Sequence, residues 1–118
     1  MGVSEHNKVV SGIREKFIAR LAGQHERCQQ LDRDWQSRAD NLESLEELCA
    51  IAHKIAGLAK SVGFPDLGAA AFQADSNIRK WLKDDHTMTS EEDVATAIKG
   101  FLEHCNLVLS DDSGNDQG

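Results

Sequence analysis

Aromatic residues and proline are scarce in this chain of 118 residues. It contains four Phe, two Trp, no Tyr and a single proline, Pro65. Runs that alternate β-branched and polar residues, which would predict strands, are also missing. The remaining sequence is rich in Ala, Leu, Glu, Gln, Lys and Arg, which are good helix formers. The composition therefore predicts an all-α protein, and the length predicts one domain.

Long apolar runs, excess basic charge and paired cysteines are missing as well. No apolar stretch reaches membrane-spanning length, and the first ten residues lack the apolar centre of a secretory signal. A net charge of −7 argues against binding to nucleic-acid phosphates, which requires a basic face. The three cysteines, Cys28, Cys49 and Cys105, form no CxxC pair, and we interpret them as reduced core thiols. We expect a monomeric cytoplasmic protein that binds neither membranes nor nucleic acid.

Apolar residues recur at steps of three and four, which predicts amphipathic helices. The first helix is expected from about Asn7 to Arg38. Its apolar positions are Val10, Ile13, Phe17, Leu21, Cys28, Leu31 and Trp35. The second helix has Asn41 or Ser44 as its cap and ends at Ser61–Gly63, where Gly63 can take a left-handed conformation. Its apolar stripe is Leu45, Leu48, Cys49, Ala52, Ile55, Ala56 and Ala59.

Two further helices follow. Pro65 opens the third, where a missing N–H costs nothing. Its stripe is Leu67, Ala70, Ala71, Ala74, Ile78 and Leu82. Thr89 is predicted to cap the fourth in a capping box with Glu92. The stripe of that helix is Val94, Ile98, Phe101, Leu102, Cys105 and Val108. We therefore expect an antiparallel up-down four-helix bundle over residues 1–110, followed by a disordered acidic tail over residues 111–118.

One histidine, His53, lies at the solvent border of the second helix. At about 100° per residue, its direction is roughly 110° from the centre of the apolar stripe. Lys60 lies within roughly 20° of the His53 direction and Gly57 within about 40°. The other four histidines have no comparable surroundings, and we interpret them as ordinary surface or half-buried residues: His6, His25, His86 and His104.

These residues suit a phosphoryl group. Neutral imidazole is a nucleophile near physiological pH, since its unperturbed pKa is about 6.5. Gly57 leaves open space beside the ring for in-line approach of a donor. A mid-helix glycine costs about 1 kcal/mol relative to Ala, and a need for access would explain that cost. A lysine ammonium can offset phosphate charge.

The segment AHKIAGLAKSVGFPDL, residues 52–67, resembles the phosphoacceptor motif of histidine-containing phosphotransfer (HPt) domains. In that motif glycine follows the histidine by four residues, a small or basic residue by seven, glycine by ten and leucine by fourteen. The matching residues are His53, Gly57, Lys60, Gly63 and Leu67. The resemblance implies that His53 carries a phosphoryl group between aspartates of receiver domains, from a hybrid sensor kinase to a response regulator.

The sequence also departs from the family pattern. Many members have lysine three residues after the histidine, where this chain has Ala56. Lys54 or Lys60 could then serve the phosphate, and the helical wheel favours Lys60. Some members orient the imidazole with a polar residue twenty-two positions on, which is Asp75 here, and Gln73 is the nearest amide. A carboxylate there could bind the ring N–H but would repel phosphate, so the role of Asp75 stays open.

The sequence contains no glycine-rich nucleotide loop, so we expect a phosphocarrier without autokinase activity and without a cofactor. The resemblance places Mg²⁺ on the partner receiver, and no metal is assigned to this chain. One alternative is an adaptor bundle that binds a receiver or kinase without carrying phosphate. A metal-binding bundle enzyme is a further alternative, but it needs Glu-x-x-His sets that Glu103-His104, Glu43, Glu46 and Glu47 do not provide.

Overall fold

The described chain consists of four helices. The computed structural model describes residues 2–37, 42–83 and 89–115, with side chains described within 12–37, 42–83 and 89–110. The helices are α1 (Gly2–Ser37), α2 (Leu42–Ala59), α3 (Pro65–Leu82) and α4 (Glu91–Asn115). Each packs against the next along the chain, and α4 packs against α1 to close the bundle. The predicted all-α up-down bundle is confirmed.

The turn between α2 and α3 forms as the sequence predicts. The Phe64 N–H donates to the Ala59 carbonyl at 2.8 Å, and the Gly63 N–H donates to the Lys60 carbonyl at 3.3 Å. Gly63 has φ of +95°, the left-handed conformation that such a pair of bonds requires. Lys60 therefore lies in the closing turn, just beyond the last residue of α2. Pro65 then occupies the first position of α3.

The cap of α4 lies one residue later than the sequence predicts. The Ser90 N–H donates to Asp93 Oδ2, and the Asp93 N–H donates to Ser90 Oγ, both at 3.1 Å. Ser90 and Asp93 thus form the capping box that was assigned to Thr89 and Glu92. Thr89 is instead buried, and its hydroxyl donates to Asn77 Oδ1 on α3 at 3.0 Å. The predicted cap residue therefore joins α4 to α3.

Most described positions of the predicted stripes are buried, one is exposed, and five are half-buried: Ala56, Ala70, Leu82, Leu102 and Val108. Buried positions on all four helices include Leu21, Trp35, Leu45, Leu48, Ile55, Leu67, Ile78, Ile98 and Phe101. All three cysteines are free and buried. Ile13, predicted as core, is 53% exposed. Because α1 is about 54 Å long and α2 about 27 Å, the start of α1 extends past the neighbouring helix.

Contacts at the α2–α3 turn show where α1 leaves the core. Phe64 stacks on Phe17 of α1, with ring centroids 5.8 Å apart, and the Arg14 guanidinium lies 4.6 Å from the centre of the Phe64 ring. Ile13 precedes these contacts by one residue. This end of α1 is thus anchored to the turn by an aromatic pair and a cation–π contact.

Several predicted features fall outside or at the edge of the described residues. The predicted cap Asn41, His86, and the side chains of His6 and Val10 are among the residues not described. Ser44, the alternative cap, lies within α2 and is buried. The backbone of α4 continues to Asn115, and the division at residue 110 between bundle and tail stays a prediction. In the described ranges, no helix has both the length and the apolar character to cross a membrane.

Candidate functional site

His53 is presented on the outer side of α2. Its neighbours along the helix, Ala52 and Ile55, belong to the core, which directs the His53 ring towards solvent. The His53 side chain is 64% exposed, in agreement with the helical wheel. A Cβ atom added at Gly57, one turn further along, would meet nothing within 4 Å. The ring therefore has open space on its C-terminal side.

A buried carboxylate on α3 faces the Nδ1 side of the His53 ring. Asp75 Oδ2 lies 3.0 Å from His53 Nδ1, and the Asp75 side chain is only 8% exposed. The two helices approach closely at Gly68, where an added Cβ would make van der Waals contact with the Lys60 amide nitrogen at 3.5 Å and the Ala56 carbonyl oxygen at 3.6 Å. Side chains larger than Ala at position 68 would push α3 away and lengthen the bond between His53 and Asp75.

Asp75 accepts hydrogen bonds from three side chains. Besides His53, the Cys49 thiol donates to Oδ1 at 3.0 Å, and Arg79 Nε donates to Oδ1 at 2.7 Å. Burial disfavours the charged carboxylate, but the bonds from Cys49, Arg79 and His53 outweigh it, so the pKa of Asp75 is lowered. Asp75 is therefore an anion at neutral pH and can only accept hydrogen bonds from its neighbours.

The charge on Asp75 fixes which ring nitrogen of His53 is free. Because an ionised carboxylate only accepts, Nδ1 must carry the hydrogen that it shares with Asp75. The neutral ring then has its lone pair on Nε2, the ring nitrogen that is not bonded to Asp75. Arg79 Nη2 lies 3.4 Å from Nδ1, and since both atoms carry hydrogen, this is a contact beside the ring rather than a bond. The site is a nucleophile flanked by one anion and one cation.

The two lysines singled out in the sequence lie on different sides of this site. Lys54 borders a cleft between α1 and α2 together with Phe17, Arg20 and Leu58, on the side of α2 away from α3. Lys60 is exposed in the closing turn, and its backbone packs against Gly68. Neither lysine has a described contact with His53, so the cation in contact with the ring is Arg79.

Gln73 is not brought to the ring. It lies two residues before Asp75 on α3, which turns its side chain through about 160° to the outer side of the helix. Gln73 is exposed, and its backbone carbonyl accepts a hydrogen bond from Asn77 Nδ2 at 2.8 Å. The structure thus brings together His53, Asp75 and the space at Gly57, and leaves Gln73 elsewhere.

The sequence interpretation missed two members of the site, Arg79 and Cys49. Arg79 follows Asp75 by four residues, and Cys49 precedes His53 by four. Residues four apart share one side of a helix, so both could have been found by extending the wheel one turn from each known member. Cys49 was assigned to the core and Arg79 was not singled out, because neither belongs to the motif.

Other polar features lie away from His53. A groove between α1 and α4, bordered by His25, Asp32, Trp35 and Lys99, lies on the opposite side of the bundle. His104 Nδ1 donates to the Gly100 carbonyl of its own helix at 2.8 Å. Among the residues described, no three His, Cys, Asp or Glu side chains cluster closely enough to hold a metal ion.

Comparison with known proteins identifies one family. Residues 12–106 match the family model of the Hpt domain. The matched range includes residues of all four helices and the site around His53. Searches among curated proteins and among solved structures found no significant match.

Proposed function

Because the chain belongs to the Hpt domain family, we propose that His53 is its phosphoacceptor and that it relays a phosphoryl group between receiver-domain aspartates. Hpt domains are phosphocarriers of phosphorelays and not kinases, and their partners are receiver domains. In this proposal the donor is the receiver of a hybrid sensor kinase, and the acceptor is a response regulator.

The observation that carries the proposal is the 3.0 Å contact between His53 Nδ1 and Asp75 Oδ2. With its hydrogen on Nδ1, His53 has an unprotonated Nε2 that is exposed beside the space at Gly57. A nucleophile needs a free lone pair and in-line access, and this arrangement supplies both. None of the other described histidines combines an exposed ring with a carboxylate on Nδ1.

The transfer can be written with no proton leaving the ring. The Nε2 lone pair attacks the phosphorus of the receiver's aspartyl phosphate, an N–P bond forms, and the P–O bond to the aspartate breaks to release a carboxylate. The ring then carries both the phosphoryl group and the Nδ1 hydrogen, so it is cationic, and Asp75 offsets that charge. In the second half, an aspartate of the next receiver attacks the phosphorus and His53 leaves as neutral imidazole.

The charges beside the ring support the same role. Asp75 would repel a phosphoryl group, but it lies on the Nδ1 side and is covered by Arg79 Nε at 2.7 Å. The Arg79 guanidinium is half exposed and adjoins the ring, so it can donate to phosphoryl oxygens as well. Lys60, exposed in the turn just beyond α2, provides a second positive charge for the phosphoryl group or its donor.

Incubation with a phosphorylated receiver tests the proposal. Label should transfer to the chain and should be labile in acid and stable in base, as expected for phosphohistidine. His53→Gln should abolish labelling without changing the helical circular dichroism. His104→Gln, a half-buried histidine on α4, is the matched control and should be labelled normally.

Robust labelling of the His53→Gln protein would contradict the proposal. Tight binding of a receiver without any transfer to the wild-type chain would favour the adaptor hypothesis instead. Both results come from the same preparation if complex formation is measured by calorimetry before phosphate is added.

A further inference from the structure

The thiol of Cys49 is the buried member of the hydrogen-bond network around Asp75. Cys49 is 6% exposed, whereas the side chains of His53 and Arg79 are 64% and 52% exposed. Its Sγ lies 3.0 Å from Asp75 Oδ1 and 3.7 Å from the Asp75 carbonyl oxygen. Because His53 and Arg79 are exposed, water can compete for their bonds to Asp75, whereas the Cys49 bond is shielded from water. Cys49 is therefore the partner most constantly in place.

The distribution of donors over the two oxygens of Asp75 indicates a role for the Cys49 bond. Oδ1 accepts from Cys49 and from Arg79, which leaves Oδ2 to His53. Arg79 is also the cation nearest the ring, so an arriving phosphoryl group competes with Asp75 for its guanidinium. When Arg79 turns to the phosphoryl oxygens, the Cys49 thiol is the remaining donor on Oδ1.

The chemistry of the thiol suits a permanent donor. Burial, followed by the hydrogen bond with Asp75 and its charge, raises the pKa of Cys49 to about 12. The thiol thus keeps its hydrogen throughout the physiological pH range and cannot become a second anion beside Asp75.

We propose that Cys49 is a positioning residue for the phosphoacceptor: its S–H holds Asp75 Oδ1 and thereby keeps Oδ2 aimed at His53 Nδ1 while Arg79 is engaged elsewhere. The inference rests on the proposed function of His53. Cys49 touches neither the phosphoryl group nor the reacting nitrogen, and it acts on them through Asp75.

The competing explanation is that Cys49 only fills space, as the other two cysteines do. Cys105 is a matched case, since it is fully buried on α4 and no carboxylate bond to it is described. Replacement of either cysteine by Ala removes the same atoms. If Cys49 only packs, the two changes should have the same effect on the His53 tautomer and on the transfer rate, and differ at most in stability. If Cys49 positions Asp75, only Cys49→Ala should change the tautomer and the rate.

The experiment compares Cys49→Ala, Cys49→Ser and Cys105→Ala in the full chain. The first readout is the tautomer of His53, from ¹⁵N NMR of the unphosphorylated protein at a pH where the ring is neutral. The second is the rate of phosphoryl transfer from a phosphorylated receiver. Cys49→Ala should convert the single Nδ1–H tautomer into a mixture and slow transfer roughly tenfold, the usual effect of losing a partner that orients a histidine.

Cys49→Ser retains a donor of similar size and should restore both the tautomer and the rate. Cys105→Ala should lower the melting temperature without changing either. A wild-type tautomer in Cys49→Ala, or equal defects in the Ser and Ala variants, would overturn the inference. If Cys49→Ala does not fold, Cys49→Val, which has no donor, takes its place. The tautomer is measured without any phosphate, so its outcome is independent of whether His53 is the phosphoacceptor.

Discussion

His53 and His104 are the same residue type on outer positions of the same bundle, yet their surroundings differ. On the α2–α3 side, His53 Nδ1 meets the Asp75 carboxylate, which belongs to another helix. On α4, His104 Nδ1 is bonded to the Gly100 carbonyl of its own helix. A neutral carbonyl fixes a tautomer but offsets no charge on the ring, whereas an anion does both.

Glycine spacing alone does not separate the two histidines. Gly57 follows His53 by four residues, and Gly100 precedes His104 by four. A Cβ added at either glycine would meet nothing within 4 Å. The difference therefore comes from the neighbouring helix, which supplies Asp75 and Arg79 on one side of the bundle only. A histidine becomes a candidate phosphoacceptor through what α3 places beneath it.

The strongest way to break this contrast is to remove the carboxylate. Asp75→Ala should slow phosphoryl transfer to His53 by roughly ten- to a hundredfold, because the ring loses the partner that fixes its tautomer. Asp66→Ala, an exposed carboxylate at the start of α3, is the control and should keep the normal rate. Transfer from a phosphorylated receiver is the measurement. A normal rate in Asp75→Ala would show that the carboxylate is not what distinguishes His53 from His104.

The same carboxylate makes stability depend on pH. The pKa of Asp75 is lowered in the folded protein, so its charged form adds stability at pH values above its pKa in the unfolded chain, about 3.9. That contribution is lost as the pH falls through the pKa of the folded protein. Asp75→Asn should therefore flatten the acid side of the stability profile measured by urea unfolding. Unchanged acid dependence would contradict the hydrogen-bond network drawn around Asp75.

A second change closes the open side of the ring. Gly57→Leu should leave stability equal or higher, since glycine is a poor helix former, and should reduce transfer by about tenfold because the side chain obstructs the donor. Gly23→Leu is a matched control, because Gly23 is also an exposed mid-helix glycine with nothing within 4 Å of an added Cβ. Melting temperature and transfer should be measured on the same preparations.

Normal transfer in Gly57→Leu would show that the space beside Gly57 is not used by the donor. Loss of the fold would contradict the open surroundings at this position. Equal loss of transfer in the Gly23→Leu protein would show that the loss comes from a general disturbance of the bundle and not from the position of Gly57 beside His53.

A third set of changes ranks the cations. Arg79→Ala should lower transfer or shorten the phosphohistidine lifetime about fivefold, because the phosphoryl oxygens lose the guanidinium beside the ring. Lys60→Ala should have a smaller effect, and Lys54→Ala none, because Lys54 lies towards α1. Decay of the labelled protein measures all three. A larger effect for Lys54 than for Arg79 would reverse the ranking.

The smallest expected effect on transfer comes from the cap of α4. Ser90→Ala should cost about 1 kcal/mol of unfolding free energy, because the cap of α4 is lost, and should leave transfer unchanged. Glu92→Ala should cost less, since the box partner is Asp93. Urea unfolding separates the two. Equal losses in both variants would restore the capping box predicted from the sequence.

Much of the fold could be predicted because it follows local rules. Apolar spacing gave the four helices, and the sequence Gly63-Phe64-Pro65 gave the turn with its left-handed glycine. Ser90 was missed because Thr-Ser-Glu-Glu-Asp offers two overlapping capping boxes, and packing against Asn77 selects between them. Ile13 was missed because periodicity does not reveal where a neighbouring helix ends.

The site was less predictable than the fold. His53, Gly57 and Asp75 were found from the motif and from a spacing of twenty-two residues, but the geometry of Asp75 depends on how closely Gly68 lets α3 approach α2. Arg79 and Cys49 lie one turn from Asp75 and His53 on their own helices, but neither belongs to the motif, and only the packing of α2 against α3 brings both onto Asp75. The preference for Lys60 over Lys54 stays a prediction, and the guanidinium beside the ring was unforeseen.

The tight turn at Gly63 also has a consequence for the order of folding. The residues of the network lie between positions 49 and 79, on two helices joined by that turn. Closing so short a loop costs little chain entropy, and contacts close in sequence form quickly. We expect the α2–α3 hairpin to bring His53 and Asp75 together early, with α1 and α4 docking afterwards. Fraying at the start of α1 or the end of α4 would then leave His53 and Asp75 in register.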